Sequence, residues 1–213
     1  PLIVKFGMGQ DLTKEELGGT QVHRSTGVVD NIVKSEEEAF QHVRDFLSYL
    51  PKNVWELPPI IKSSDDCNRR EESLLSAIPR NRRKLYKIRN ILPMIFDKDS
   101  IFEISSTYGG SMITAFATLD GYPVGVIAPD PYKDGGAMTA ESSEKLERFV
   151  DLCNTFHLPI VNLVDNPGLA VGLSAEKKGT LRKGVSAIAA VYQAKIPLVE
   201  IIIRRDFGVG GAG

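Results

Sequence analysis

Residues 161 to 172, Val161-Asn162-Leu163-Val164-Asp165-Asn166-Pro167-Gly168-Leu169-Ala170-Val171-Gly172, constrain the fold of this chain more than any other stretch. A short, β-branched apolar run reads as a strand buried on both faces, and Pro167 with Gly168 forces the backbone out of the sheet at its C-terminal end. A helical pattern follows. Ligands of α/β proteins sit at that end of the strands, so the Asn-Pro-Gly turn is the reference point for the rest of the sequence.

Upstream of it, Leu2 to Phe6 reads as a short strand and Thr13 to Gly19 as one helical turn, with Thr13 and Glu16 as a capping box and Gly18 as its left-handed cap. His23 to Asp30 reads as loop and short strand. A helix begins at Ser35, with Glu38 three positions on and Ala39, Val43, Phe46, Leu47 and Leu50 on one face, and Pro51 ends it. Prolines and charges then dissolve the pattern, so 51–79 reads as a linker between 1–50 and a second unit, 80–213. The basic cluster Arg80, Arg82, Arg83, Lys84, Lys87 and Arg89 reads as a solvated helix start, the alternative being an anion-docking role, and Leu85, Ile88, Ile91, Leu92 and Ile95 have helical spacing that Pro93 should kink or shorten.

The second unit alternates regularly. Ile101 to Ser105, Met112 to Leu119 and Tyr122 to Ala128 are strands, the last two joined by the tight-turn pair Asp120-Gly121. The loop Asp134-Gly135-Gly136 leads to a helix over Thr139 to His157 whose buried stripe is Leu146, Phe149, Val150, Cys153 and Phe156. After the reference strand come a helix over Thr180 to Ala194 and a strand over Leu198 to Ile203. The order β-β-β-α-β-α-β predicts an α/β unit with right-handed crossovers.

Composition narrows the function. A net charge of -1 removes the electrostatic case for nucleic acid or an anionic membrane surface, and no apolar run is long enough to span a bilayer. Cys67 and Cys153 read as two reduced thiols of a reducing compartment. Position 1 is Pro rather than Met and Gly208 to Gly213 read as a loop leading onward, so the sequence reads as part of a longer chain. His23, His42 and His157 have no metal-like spacing, and no metal is expected. No nucleophile elbow, Walker loop or dinucleotide fingerprint is present. Asp165 reads either as a general base or as an Asx residue shaping its turn.

What the sequence offers is backbone. Asn166-Pro167-Gly168-Leu169 follows one strand and Phe207-Gly208-Val209-Gly210-Gly211 follows its neighbour. Glycines let successive amides point into a cleft, where they can hold negative charge developing on oxygen; the alternative is a pair of plain tight turns.

Several runs resemble one family. Arg148-Phe149-Val150-Asp151-Leu152-Cys153, Pro159-Ile160-Val161 and Val164-Asp165-Asn166-Pro167-Gly168-Leu169 are similar to the helix, strand and Asp-x-Pro-Gly-Phe turn of the biotin-dependent carboxyltransferases, the β-subunit type of propionyl-, methylcrotonyl- and acetyl-CoA carboxylases. Gly172, Glu176 and Gly184 fall at matching spacings, Ile196-Pro197 resembles the Val-Pro before the next strand, and Phe207-Gly208-Val209-Gly210 resembles the following Tyr-Gly-Ala-Gly loop. Upstream, Leu17-Gly18-Gly19, His23, Ser25, Gly27, Val28 and Asp30 resemble the end of the family's N-terminal domain, and Asp120 to Gly125 its hairpin.

The resemblance implies a crotonase-like α/β fold of ββα units. Residues 1–50 would be the C-terminal end of the acyl-CoA domain and 80–213 the first part of the biotin-side domain. It implies transfer of a carboxyl group between carboxybiotin on a carrier protein and the α-carbon of an acyl-CoA through a thioester enolate, with biotin as its own base. Val209 and Gly210 would supply the oxyanion hole, Gly168, Leu169, Gly172 and Gly208 the biotin pocket, and Ala212 a border of the acyl pocket. Implied partners are a biotin carboxyl carrier or biotin carboxylase subunit and further copies in a homo-oligomer with active sites between subunits, in the cytoplasm or a mitochondrial matrix. Leu169 stands where the family has Phe and Val209 where it has Gly or Ala. The family's second oxyanion hole, for the CoA enolate, would lie upstream of residue 1, so this stretch alone is expected not to turn over. The competing readings are a crotonase-like hydratase, isomerase or thioesterase, with Asp165 or Glu176 as the carboxylate, and an inactive assembly subunit.

Overall fold

In the computed structural model, which describes residues 1–212 apart from the side chains at 211 and 212, the strands are β1 (Phe102–Ile104), β2 (Met112–Leu119), β3 (Tyr122–Pro129), β4 (Ile160–Asn166) and β5 (Leu198–Asp206). They form one sheet in that order, antiparallel from β1 to β3 and parallel from β3 to β5. The helices are α1 (Leu2–Met8), α2 (Lys14–Gly18), α3 (Thr20–His23), α4 (Glu36–Ser48), α5 (Leu74–Ala77), α6 (Ile88–Ile95), α7 (Ala140–Thr155), α8 (Leu173–Lys177), α9 (Thr180–Gln193) and α10 (Val209–Ala212).

Period-two alternation divides the core. Ile113, Ala115 and Ala117 of β2, Val124, Val126 and Ala128 of β3 and Val161 and Leu163 of β4 face Ile88, Ile91 and Leu92 of α6. On the other face Phe116, Ile127 and Ile160 meet the stripe Leu146, Phe149, Val150 and Cys153 of α7 and Ala187 of α9. The last turn of α4 belongs to this second layer, where Phe46 and Tyr49 each lie 5.5 Å, centroid to centroid, from Phe116.

The expected punctuation recurs. Asp120 and Gly121 both take positive φ, 50° and 79°, the geometry of a two-residue type I′ hairpin, and Asp97 fixes the turn by accepting from both amides. Thr13 and Glu16 form a capping box, and Ser35 accepts from the Glu38 amide at the head of α4. Cys67 and Cys153 are both free. Residues 51–79 are tied down along their length. Ile61 donates to Gly121 O, and Arg69 donates to Pro93, Met94 and Phe96 carbonyls at the end of α6.

Four local expectations are corrected. Gly18 is not a left-handed cap: it is the last residue of α2, and Gly19 beyond it is extended at φ -70°. Leu2 to Phe6 is helical, not extended: with no strand beside it among the described residues the segment satisfies its own backbone, and Gly9, at φ 69°, closes it, Gly9 N donating to Lys5 O and Gln10 N to Val4 O. Residues 23–30 contain no strand; His23 ends α3, and turns follow. The basic cluster precedes its helix rather than starting it. Residues 80–87 are turn and loop, Leu85 is exposed, and α6 begins at Ile88, where the apolar stripe first reaches the sheet. Pro93 sits inside α6, which ends two residues later.

Candidate active site

The C-terminal ends of parallel β4 and β5 deliver the two glycine turns to the same place. Asn166 joins them. Its Oδ1 accepts from the Gly168 amide at 2.8 Å, folding its own turn, while its Nδ2 donates to Gly210 O at 2.6 Å, gripping the other. Phe207 N donates to Asn166 O at 3.0 Å, so backbone closes the same contact. The Asx role therefore belongs to Asn166 and not to Asp165, because residues at 161, 163 and 165 point to the α6 face and those at 160 and 166 away from it.

Glycine is needed where the turns touch. Gly168 has φ 107°, and a Cβ there would lie 3.2 Å from Phe207 O; a Cβ on Gly210 would lie 3.1 Å from Met138 Sδ and 3.3 Å from Leu169 N. Gly208 packs back to back with Gly168, 3.8 Å from Cβ position to Cα. A third segment completes the floor: Met138 N donates to Gly168 O at 3.0 Å and Ala170 N to Met138 O at 2.8 Å. Beneath lies a cavity of about 70 Å³ bordered by Gly136, Met138, Asn166 and Gly210.

The expected residues thus divide. Gly168, Gly208 and Gly210 meet in one contact, and Val209, 59% exposed, opens α10 beside them, where the first amides of a helix have no intrahelical acceptor. Leu169 contributes its backbone, while its side chain lies against Gly184 of α9. Gly172 borders open space at the head of α8. The side chain of Ala212 lies outside the described residues.

Asp165 is no free base. It is fully buried and accepts from Arg205 Nε at 2.6 Å, Arg204 Nη2 at 2.8 Å and Tyr86 Oη at 2.8 Å. Burial pushes its carboxyl up, but these donors outweigh burial and hold it below the usual carboxylate range. Glu176 is exposed on α8. At the strand ends the two glycine turns therefore present backbone rather than a free carboxylate. Among the described residues no group of His, Cys, Asp and Glu is arranged to hold a metal, and no helix is long and apolar enough to cross a membrane.

The mixed sheet with its parallel crossovers is α/β in class, and the fold is crotonase-like, as in transcarboxylase 12S. A family model described as "Carboxyl transferase domain" matches residues 1–213, and the chain belongs to that family. It is similar to the carboxyltransferase subunit of propionyl-CoA carboxylase from Haloferax mediterranei, 35% identical, and to the biotin-dependent long chain acyl-coenzyme A carboxylase beta4 subunit of Mycobacterium tuberculosis, also 35% identical; each match covers 98% of this chain and 40% of the relative. Among solved structures it superimposes on transcarboxylase 12S, a hexamer described with methylmalonyl-coenzyme A and methylmalonic acid bound, at TM-score 0.95 and 29% identity over all of this chain and 41% of that one. The chain spans about two-fifths of the length of these relatives.

Proposed function

We propose that the protein to which this chain belongs moves a carboxyl group between carboxybiotin on a carrier protein and the α-carbon of an acyl-CoA. The observation that carries the reading is the clasp of the two glycine turns by Asn166, beside which Val209 and Gly210 open a helix whose first amides have no intrahelical acceptor. The ureido ring of biotin is the group assigned there, because its oxygen needs only N–H donors. When bound, carboxybiotin supplies carbon dioxide and a base, so the protein is left with positioning and charge stabilisation. In that division of labour Val209 and Gly210 donate to the developing oxyanion, Gly168 and Gly208 let the two turns approach, and the Leu169 backbone and Gly172 extend the wall. Ala212 is assigned to the border of the acyl pocket.

We assign residues 1–50 to the end of an acyl-CoA-binding domain, 51–79 to a linker and 80–213 to the first part of the biotin-side domain. The CoA enolate needs its own oxyanion hole, which we place in another part of the protein and on another subunit. A biotin carboxyl carrier or biotin carboxylase subunit is the partner, and free Cys67 and Cys153 agree with a reducing compartment, the cytoplasm or a mitochondrial matrix.

Gly210→Pro in the full-length protein removes one N–H from the hole. It is expected to lower the rate of methylmalonyl-CoA or malonyl-CoA decarboxylation in the presence of free biotin by about 10²–10³-fold. Near-normal turnover in a folded variant would refute the assignment.

A further inference from the structure

We infer that Asp165 is a positioning residue for the carboxyl-transfer site: one buried carboxylate sets the spacing and orientation of both glycine turns, through two arginines that a bulge brings to the same side. The inference rests on the function proposed above for the Val209–Gly210 turn.

The bulge is the first step. Val164 pairs with Ile202, yet Asn166 pairs with Asp206, so two residues of advance on β4 match four on β5. In a regular strand, neighbouring side chains point to opposite faces, and Arg204 and Arg205 could not share a partner. Here both reach Asp165, Arg204 through Oδ2 and Arg205 through Oδ1. The extra residues also carry the Phe207–Gly210 turn forward until it meets the Gly168 turn.

The second step is what each arginine does with its other donors. Arg205 Nη2 donates to Gly135 O at 2.9 Å, holding the loop whose Met138 is bonded to Gly168 and Ala170. Arg204 Nη1 donates to Lys84 O at 2.8 Å, and its guanidinium stacks 4.8 Å from the centroid of the Tyr86 ring, whose hydroxyl returns to Asp165. Residues 84–86, 135–138, 165–170 and 204–210 are thereby all referred to one carboxylate. Asp165 is fully buried and the Arg204 side chain 6% exposed, so little water can take over a lost contact. Removing one partner of such a network leaves the others uncompensated.

A network like this could serve stability alone. The difference lies in where its loss is felt. The amides of Val209 and Gly210 are reached from Asp165 through Arg205 and the three residues Asp206, Phe207 and Gly208, and displacement of a catalytic donor by about 1 Å can cost on the order of 10²-fold in rate. A merely structural role would lower the unfolding midpoint and leave the kcat of folded molecules unchanged.

The test uses Asp165→Asn and Arg205→Lys in the full-length protein, first confirming that the wild type decarboxylates methylmalonyl-CoA with free biotin. Arg205→Lys keeps a positive charge but cannot hold Asp165 and Gly135 O together, and it remains informative if Asp165→Asn does not fold. The expected result is a fall in kcat of about 10-fold for Arg205→Lys and about 100-fold for Asp165→Asn, with KM for the acyl-CoA within about twofold of wild type. Hydrogen-exchange mass spectrometry supplies a readout independent of turnover. Peptides covering 204–210 and 166–170 should exchange faster in Arg205→Lys, while the β2–β3 hairpin should not. A wild type without biotin-dependent decarboxylation sinks the proposed function and leaves the exchange result to decide the positioning role. Wild-type kcat in folded Arg205→Lys, or unchanged exchange in both turns, overturns the inference.

Discussion

Asn166 is the one side chain in the clasp that works on both turns, and it does so with the two ends of a single amide group. Alanine there removes an acceptor for the Gly168 amide and a donor to Gly210 O. Both backbone groups lie where the residue is only 9% exposed, so the cost should fall at about 1–3 kcal/mol, the penalty for leaving such groups unpaired. Asn166→Asp separates the two functions. It keeps an oxygen for Gly168 N but puts a carboxylate oxygen against the Gly210 carbonyl, so the first turn should survive and the second should move away. The expected outcome is that Asn166→Ala shifts the unfolding midpoint more, while both variants lose comparable turnover. Denaturant unfolding and a decarboxylation assay on the same preparations would check this, and an active Asn166→Asp would show that the grip on Gly210 is dispensable.

Between elements, the joint of α7 to the sheet depends on Lys145. Its ammonium is buried and donates to Met112 O at 2.8 Å, at the start of β2, beside a cavity of about 280 Å³ walled by Phe46, Ile104, Phe149 and Thr114. Burial is the main cause that lowers its pKa, to about 8; Glu103 and Asp30 raise it and Arg89 lowers it further. Between about pH 8 and the value near 10.5 of a free lysine, the unfolded chain binds more protons than the folded one, so stability rises with pH across that window. Below about pH 8 the burial penalty is present in full. Lys145→Met should flatten the difference: the gap in unfolding midpoint between wild type and variant is expected to change between pH 8 and 10 and to stay constant from pH 6 to 7.5. A gap that is constant throughout would mean that the ammonium is solvated.

Elements of this kind were legible in the sequence where a local pattern dictates geometry. Asp120-Gly121 tolerates two positive φ values, the stripe from Leu146 to Phe156 suits only a helix, and Pro167-Gly168 ends a strand whatever surrounds it. Leu2 to Phe6 was not legible, because a five-residue segment, apolar except for Lys5, is too short to show a period and its state depends on whether a strand lies alongside. The coming together of the two turns followed from neighbouring parallel strands. Their clasp did not, since Asn166 meets Gly210 across 44 residues. Nor did the role of Asp165: Arg204 and Arg205 look like opposite-facing strand residues until the bulge is known, and nothing within either strand marks it.

At the scale of the whole molecule, the sheet has a bare edge next to the site. β5 pairs only with β4 among the described residues, and Val199, Ile201 and Ile202 are 55%, 44% and 62% exposed, with Leu181, Val185 and Tyr192 of α9 exposed nearby in the fold. An unpaired strand with an apolar surface is a template for another chain. The related carboxylase subunits are longer than this stretch by more than half their own length, and transcarboxylase 12S is described as a hexamer, so further chain or further copies are the candidates to cover such an edge. Expressed alone, residues 1–213 should therefore self-associate at micromolar concentration and bind a hydrophobic dye. Ile201→Lys, a charge placed on the edge strand, should suppress association without unfolding the sheet, because the side chain already faces solvent. Analytical ultracentrifugation of the two proteins decides it. If the lysine variant associates as strongly as the parent, the sticky surface lies elsewhere, and the exposed apolar side chains of α1 and α4 become the place to look, Ile3 and Phe6 at 87% and 83% exposure among them.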